Sequence, residues 1–127
     1  MARAYHSAVS TQVATTRRSA LTLWLPVVVW AAVIFAFSSV PSLGTGLGTW
    51  DLVLRKLAHM AEFAVLGFLL FRAAGSATVA VALGSLYAVT DEVHQAFVRG
   101  RHGSPVDWLI DTVGVLAGVA LAVRASR

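Results

Sequence analysis

The chain has no cysteine, which excludes disulfide-stabilised scaffolds, thiolate metal sites and cysteine nucleophiles. It also has little charge: only 13% of its 127 residues are charged, whereas 57% are apolar and the mean hydropathy is +0.75. This composition is too apolar for an ordinary soluble domain. At about 20 residues per membrane-spanning helix, four spans use about 80 residues and leave about 47 for tails and loops. We therefore predict one all-α domain, an integral membrane bundle of four transmembrane helices.

Basic residues outnumber acidic residues by ten to six. In a soluble protein that excess would suggest nucleic acid as a partner. Here most arginines flank apolar runs, as is typical at the ends of membrane spans. The lipid bilayer is therefore the expected partner, and no nucleic acid is expected.

Apolar runs and turn signals divide the chain into a tail and a helical domain. Residues 1–16 contain few large apolar side chains and are predicted to form a flexible tail, followed by the domain at 17–127. Pro41 and three glycines mark residues 38–48 as a loop, and Pro105 suits the first position of a helix. The predicted helices cover about residues 20–39, 51–72, 77–97 and 105–123.

The first apolar run has a second interpretation, a cleaved signal peptide, because Arg17 and Arg18 precede it. The run is longer than the apolar region of most signal peptides, and no convincing small-residue cleavage pattern follows it. We therefore predict an uncleaved first helix.

Basic residues lie on both sides of this up-down arrangement. One side carries Arg17, Arg18, Arg72, Arg124 and Arg127, and the other carries Arg55, Lys56, Arg99 and Arg101. The second group is mixed with acidic residues and is better explained as part of a site. The positive-inside rule then places both termini in the cytoplasm.

All six acidic residues lie between positions 51 and 111. Because successive helices alternate in direction, the polar ends of helices two, three and four are expected near one membrane surface. These polar residues form one set on each helix, and most members of each set share a stripe, with Glu62 beside the stripe of the second helix. The sets are Lys56, His59 and Glu62 on the second helix, Asp91, Glu92, His94 and Gln95 on the third, and Asp107 and Asp111 on the fourth.

The fourth helix continues its polar stripe with Gly114 and Gly118, a small-xxx-small surface that lets a neighbouring helix approach closely. An ionisable group deep in the bilayer costs about 2.5 to 3.5 kcal/mol. The polar side chains should therefore face the bundle interior and line a hydrated pocket. The alternative is a buried ion-pair network that only holds the helices together.

Three ordered blocks of these residues resemble the VanZ-like membrane protein family. Residues 56–67 are similar to the family pattern Lys-x-x-His-x-x-(Glu)-Tyr-x-x-Leu-Gly, with Phe63 in place of the usual Tyr. Residues 91–97 resemble Asp-Glu-x-x-Gln-x-Phe. Residues 100–107 resemble Gly-Arg-x-Gly-x-x-x-Asp, and Asp111 begins the Asn/Asp-x-x-Gly that follows. With residues 34–39, which are similar to the end of the family's first helix, the likeness covers about residues 24–123.

This resemblance implies a bacterial, multi-pass protein of the cytoplasmic (inner) membrane. Through the founding member of the family, it implies a connection with the cell envelope and with resistance to the glycopeptide antibiotic teicoplanin. It does not imply a particular reaction.

The first functional hypothesis is binding or modification of an anionic, lipid-linked envelope molecule. His59, Asp91 and Glu92 are the candidate catalytic residues, with His59 moving a proton. Lys56 and Arg101 are expected to clamp phosphate. The full set of candidate substrate-binding residues is Lys56, Glu62, Gln95, Arg101, Asp107 and Asp111.

Three further hypotheses are open. A divalent metal ion, the one cofactor considered, would use His59-x-x-Glu62 and Asp91-x-x-His94, completed by Asp107 or Asp111. Ionisable residues within spans are also typical of transporters and channels, although the inner halves of the predicted helices are almost entirely apolar. The fourth hypothesis is a non-catalytic scaffold or partner subunit whose polar cluster is a structural ion-pair network.

Overall fold

A computed structural model of the chain describes residues 2–40, 49–101 and 103–127, with side chains described from residue 20 onward except that of Thr49. The described residues form four α-helices and no strand, which confirms the predicted all-α class. The helices are α1 (Ala2–Ser38), α2 (Thr49–Ala74), α3 (Ala77–Ala96) and α4 (Pro105–Ala125). The loop predicted around Pro41 falls largely at residues 41–48, outside the described residues.

Among the described residues, three segments are long and apolar enough to cross a membrane. They are Ala20–Ser38, Trp50–Ala74 and Pro105–Ala125. The 20-residue α3 is not one of them, because Asp91, Glu92, His94 and Gln95 occupy its last two turns. The fourth span and the cytoplasmic placement of both termini stay predictions.

The helix α1 begins at Ala2, whereas the sequence predicted a helix from about residue 20 and a tail over residues 1–16. Residues 2–25 contain neither glycine nor proline, so no residue in this segment interrupts the backbone hydrogen bonds of the helix. The backbone of residues 2–16 is therefore helical. That this segment moves relative to the bundle stays a prediction.

Short connections between the last three helices bring their polar ends together. Gly75, with φ of +71°, ends α2 in the left-handed conformation that favours glycine. Ser76 caps α3, its Oγ accepting a hydrogen bond from Val79 N at 3.3 Å. Ser104 caps α4 in the same way, and Pro105 is the first helical residue, as predicted. Because α3 runs back along α2, its C-terminal end lies beside the starts of α2 and α4.

The helices α2 and α4 pack backbone to backbone through three glycines. A side chain at any of them would overlap a carbonyl oxygen of the facing helix, so only glycine permits this approach. The glycines and the residues whose oxygens they face are Gly67 with Val115, Gly114 with Met60, and Gly118 with Ala64. The prediction that Gly114 and Gly118 allow a close helix approach is confirmed.

Apolar side chains fill the centre of the bundle and also cover its outside. Ile34, Phe63 and Val115 are fully buried. Many other large apolar residues, such as Val28 and Leu116, are exposed on the outer faces. An apolar surface this extensive is unusual for a protein in water, and it suits helices surrounded by lipid.

Candidate functional site

The ring of His59 lies between two carboxylates from two other helices. Its Nε2 is 3.0 Å from Asp91 Oδ2, and its Nδ1 contacts Asp111 Oδ1. The side chains of Asp91 and Asp111 are each 1% exposed. Donation to both carboxylates requires a hydrogen on each ring nitrogen and hence the imidazolium form. The structure thus brings α2, α3 and α4 together at one buried imidazole.

The position of this imidazole follows from the packing one turn further along α2. The ring of Phe63 lies 5.1 Å from that of His59 and 6.0 Å from that of Tyr87. The family pattern usually has Tyr at position 63, and here a fully buried Phe supplies packing without a hydroxyl. The hydroxyl of Tyr87 instead donates to the carbonyl oxygen of Ala31 in α1.

The amide of Gln95 closes the cluster on the α3 side. Its Nε2 lies 3.1 Å from His59 Nε2, 3.1 Å from Asp91 Oδ2 and 3.4 Å from Ser38 Oγ. An amide has only two hydrogens to donate. When His59 donates to Asp91, its Nε2 has no lone pair to accept with, so the Gln95 hydrogens go to Asp91 and Ser38. Ser38, at the end of α1, is itself 1% exposed.

A cavity of about 350 Å³ adjoins the cluster at the end of the bundle where α2 and α4 begin and α3 ends. This volume is at the lower end of the range for small-ligand sites, about 300 to 1,000 Å³. Its lining comprises Asp51, Leu52, Arg55, Lys56, His59, Glu92, Gln95, Gly100, Arg101, Asp107, Ile110 and Asp111. Asp91 is not part of the lining and lies behind His59.

Two of the cations that line the cavity pair with carboxylates in the same lining. Lys56 of α2 forms an ion pair with Asp107 in the first turn of α4. Arg55 forms one with Asp51, one turn earlier on α2, at 3.0 Å. The Lys56 and Asp107 side chains are 37% and 25% exposed, so water or a ligand can reach this pair.

The third cation, Arg101, holds the loop after α3 against the end of α1. Its Nε donates to Val40 O at 2.8 Å and its Nη2 to Phe37 O at 3.4 Å. Carbonyl groups at a helix C-terminus attract cations. Within the part of the chain that the structure describes, Arg101 has no carboxylate partner at ion-pair distance.

Glu92 connects the cluster to the start of α4. Its Oε2 accepts a hydrogen bond from Ser104 N at 3.1 Å, beside the cap that Ser104 Oγ forms with Asp107 N at 3.1 Å. The other oxygen, Oε1, is buried without a hydrogen-bond partner among the described residues. The same holds for Asp91 Oδ1 and Asp111 Oδ2.

The predicted site residues fall into three groups. Most of them line the cavity. Asp91 does not line it and contacts His59 on the side of the ring away from the cavity. Glu62 does not line the cavity, and its backbone carbonyl accepts a hydrogen bond from Trp30 Nε1 at 2.8 Å. The residues that line it are Lys56, His59, Glu92, Gln95, Arg101, Asp107 and Asp111.

The residues that the structure brings close together differ from the metal-ligand pairs predicted from sequence spacing. His94 turns away from the cluster: its ring stacks on Phe35 with centroids 4.2 Å apart, and its Nε2 is 3.3 Å from Ser39 Oγ. Four residues instead offer ligand atoms within 4.8 Å of one another. They are His59, Asp91, Glu92 and Asp111.

Sequence reasoning gave no role in the site to three polar residues that contribute to it. Ser38 and Ser104 are small polar residues at helix ends, where capping is the common role, and Asp51 precedes Arg55 at the usual spacing of a surface ion pair. The only sequence signal for Ser38 was its place at the end of the first helix, in a stretch already similar to the VanZ-like pattern.

A family model described as VanZ/LLP1 matches residues 4–126, nearly the whole chain. Comparison with curated proteins and with solved structures found no match.

Proposed function

The chain belongs to the VanZ/LLP1 family, and from this premise we propose that it binds the phosphate-bearing head of a lipid-linked molecule of the bacterial cell envelope. The observation that carries the proposal is the cavity at the bundle end, where the cations Arg55, Lys56 and Arg101 share the lining with four carboxylates. A ligand phosphate would replace carboxylates as the partner of Arg55 and Lys56. Arginine and lysine are the side chains that bind phosphate in proteins. We also propose that the chain contributes to teicoplanin-like glycopeptide resistance. This second proposal rests only on family membership and on the class of ligand.

The residues of the cavity lining support a ligand with a lipid tail. Leu52 and Ile110 supply apolar surface beside the cations, and Leu52 is also exposed on the outer face of α2. A headgroup in the cavity therefore lies next to a surface suited to an acyl or prenyl chain. The head can enter the polar pocket while the tail stays in the bilayer.

For the topology, we propose four membrane spans with both termini in the cytoplasm of a bacterial cell. The short connection between α2 and α3 makes them antiparallel neighbours, which supports a span for α3 as well. The positive-inside rule then puts the cavity at the outer face of the cytoplasmic membrane.

If the ligand is modified, His59 is the group that we propose to move the proton. It lines the cavity, and an imidazole can both donate and accept a proton. Asp91 lies behind the ring and does not reach the cavity, so we assign it a positioning role that fixes the ring orientation. Glu92 lines the cavity and is the second candidate for proton transfer.

The proposal predicts that Lys56→Gln weakens phosphate-lipid binding at least tenfold, because it removes a charge-assisted contact worth about 1.5 to 3 kcal/mol. The full chain in phosphatidylcholine nanodiscs is titrated with radiolabelled undecaprenyl phosphate. The matched control is Arg72→Gln in the last turn of α2, at the opposite end of the bundle, which should bind as the wild type does.

Two results would contradict this function. One is the absence of saturable binding to the folded wild-type chain, and the other is an equal loss of affinity in both variants. Either would favour the structural ion-pair network, for which the Lys56 pair with Asp107 already provides a link between α2 and α4. A conducting path through one chain has less support, because Phe63 and Leu66 fill the bundle beyond the cluster.

A further inference from the structure

The carboxylates around His59 have more acceptor capacity than the described residues use. Asp91 and Asp111 are 3% and 0% exposed, and Glu92 is 8% exposed. Each keeps one oxygen buried without a hydrogen-bond partner in the described part of the chain: Asp91 Oδ1, Glu92 Oε1 and Asp111 Oδ2. A buried carboxylate oxygen without a partner is costly. The Glu92 and Asp111 side chains are in hydrogen-bonding contact, so one proton shared between them would satisfy an oxygen of each. Asp91 Oδ1 would still lack a partner, whereas one cation beside the imidazole would satisfy all three.

The charges of the cluster lead to the same conclusion. When ionised, the three carboxylates exceed by two the single positive charge that His59 can carry. Lys56 already pairs with Asp107, and Arg101 donates to backbone carbonyls of the α1 end. Buried charges are stable in proteins when they are paired or coordinate a metal.

The distances in the cluster fit shared coordination of one ion. Two ligand atoms that are each about 2.1 Å from an ion lie about 3.0 Å apart at right angles and about 4.2 Å apart on opposite sides. His59 Nε2 and Asp91 Oδ2 are 3.0 Å apart. The ligand atoms of all four residues lie within 4.8 Å of one another. An ion shared by His59 Nε2 and Asp91 Oδ2 would require the Gln95 amide, which lies 3.1 Å from both atoms, to shift.

The second nitrogen of His59 is arranged as metal-binding histidines usually are. A histidine that binds a metal through one nitrogen almost always donates its other N–H to a carboxylate, a carbonyl or water. Here Nδ1 contacts Asp111 Oδ1, which fixes the ring so that Nε2 points toward Asp91. The imidazole is thus oriented from α4 to present Nε2 on the side of α3.

We propose that His59, Asp91, Glu92 and Asp111 form a binding site for one divalent transition-metal ion. Nε2 of His59 and oxygens of Asp91 and Glu92 bind the ion, and Asp111 orients the ring and offers its second oxygen. One imidazole with several carboxylates favours an ion such as Mn²⁺, Fe²⁺ or Zn²⁺, since Mg²⁺ and Ca²⁺ prefer oxygen ligands throughout and softer ions prefer thiolates. This site shares His59 and Glu92 with the cavity lining, but ion binding can be measured without the ligand proposed for the cavity.

The test is Mn²⁺ binding by the full chain in phosphatidylcholine nanodiscs after removal of metals with a chelator. The electron paramagnetic resonance signal of free Mn²⁺ reports binding, and elemental analysis gives the stoichiometry. We expect one Mn²⁺ per chain and at least tenfold weaker binding for Asp91→Asn. Glu62→Gln removes the same charge one turn from His59 on α2, outside both the four-residue group and the cavity lining, and should bind Mn²⁺ as the wild type does.

A second variant keeps the test decisive if Asp91→Asn does not fold. Glu92→Gln retains an oxygen that can accept the hydrogen bond from Ser104 N, so it should fold and still lose at least tenfold in Mn²⁺ affinity. The site is refuted if the wild type shows no saturable binding, or if Glu62→Gln weakens binding as much as Glu92→Gln. Because no undecaprenyl phosphate is added here and no Mn²⁺ is added there, the two binding results are independent.

Discussion

Gly118→Leu is expected to separate α4 from α2 and to destabilise the chain by about 3 kcal/mol or more. Even the Cβ atom at position 118 would overlap the carbonyl oxygen of Ala64. The obstacle is backbone and cannot rotate away as a flexible side chain can. Leucine therefore forces the two helices apart along the surface that aligns His59 with Asp111.

The matched control is Ala117→Leu, which adds an equally large side chain at the neighbouring, exposed position on α4. Thermal unfolding in detergent, followed by circular dichroism, should show a large decrease in Tm for Gly118→Leu and little change for the control. Equal melting of both variants would mean that the glycine surface does not hold α2 against α4.

His59→Leu is expected to cost about 3 to 5 kcal/mol, the range for removing one partner from a buried charge pair. Asp91 and Asp111 would both lose the group that lies between them. Leucine supplies apolar volume, so the loss reports mainly the uncompensated carboxylates. Unfolding is measured with chelator present, because a bound metal ion would also neutralise them.

The corresponding rescue variant combines His59→Leu with Asp91→Asn and Asp111→Asn. Neutral amides do not need a cation between them, so this triple variant should recover much of the lost stability. If the triple variant is no more stable than His59→Leu alone, the charges of Asp91 and Asp111 do not cause the loss, and the imidazole acts by packing.

Much of this architecture could be predicted because helical periodicity links the sequence position of a residue to the direction in which its side chain leaves the helix. His59 and Phe63 share one stripe, and Asp111 shares another with Gly114 and Gly118, so the α2–α4 contact follows from spacing. The family was also identified from the sequence blocks around Lys56, Asp91 and Gly100, and the match over residues 4–126 confirms it.

Other features depended on interactions that spacing does not encode. His94 lies one turn from Asp91 and was grouped with it as a metal ligand, but its ring stacks on Phe35 of α1. Glu92, predicted as a catalytic residue and not as a metal ligand, lies with His59 in the four-residue group. The sequence also predicted too late a start for α1. Residues 1–16 contain few large apolar side chains, which suggested a tail, but their backbone propensity is compatible with a helix and α1 begins at Ala2.

The most direct test of the central claim is an experimental structure of the chain in a lipid nanodisc at a resolution that shows side chains and water. The account predicts the ring nitrogens of His59 at hydrogen-bonding or metal-bridged distance from Asp91 and Asp111, with ordered water in the adjoining cavity. It is contradicted if the His59 ring faces the acyl chains, or if it lies more than about two helix diameters, ~20 Å, from both carboxylates.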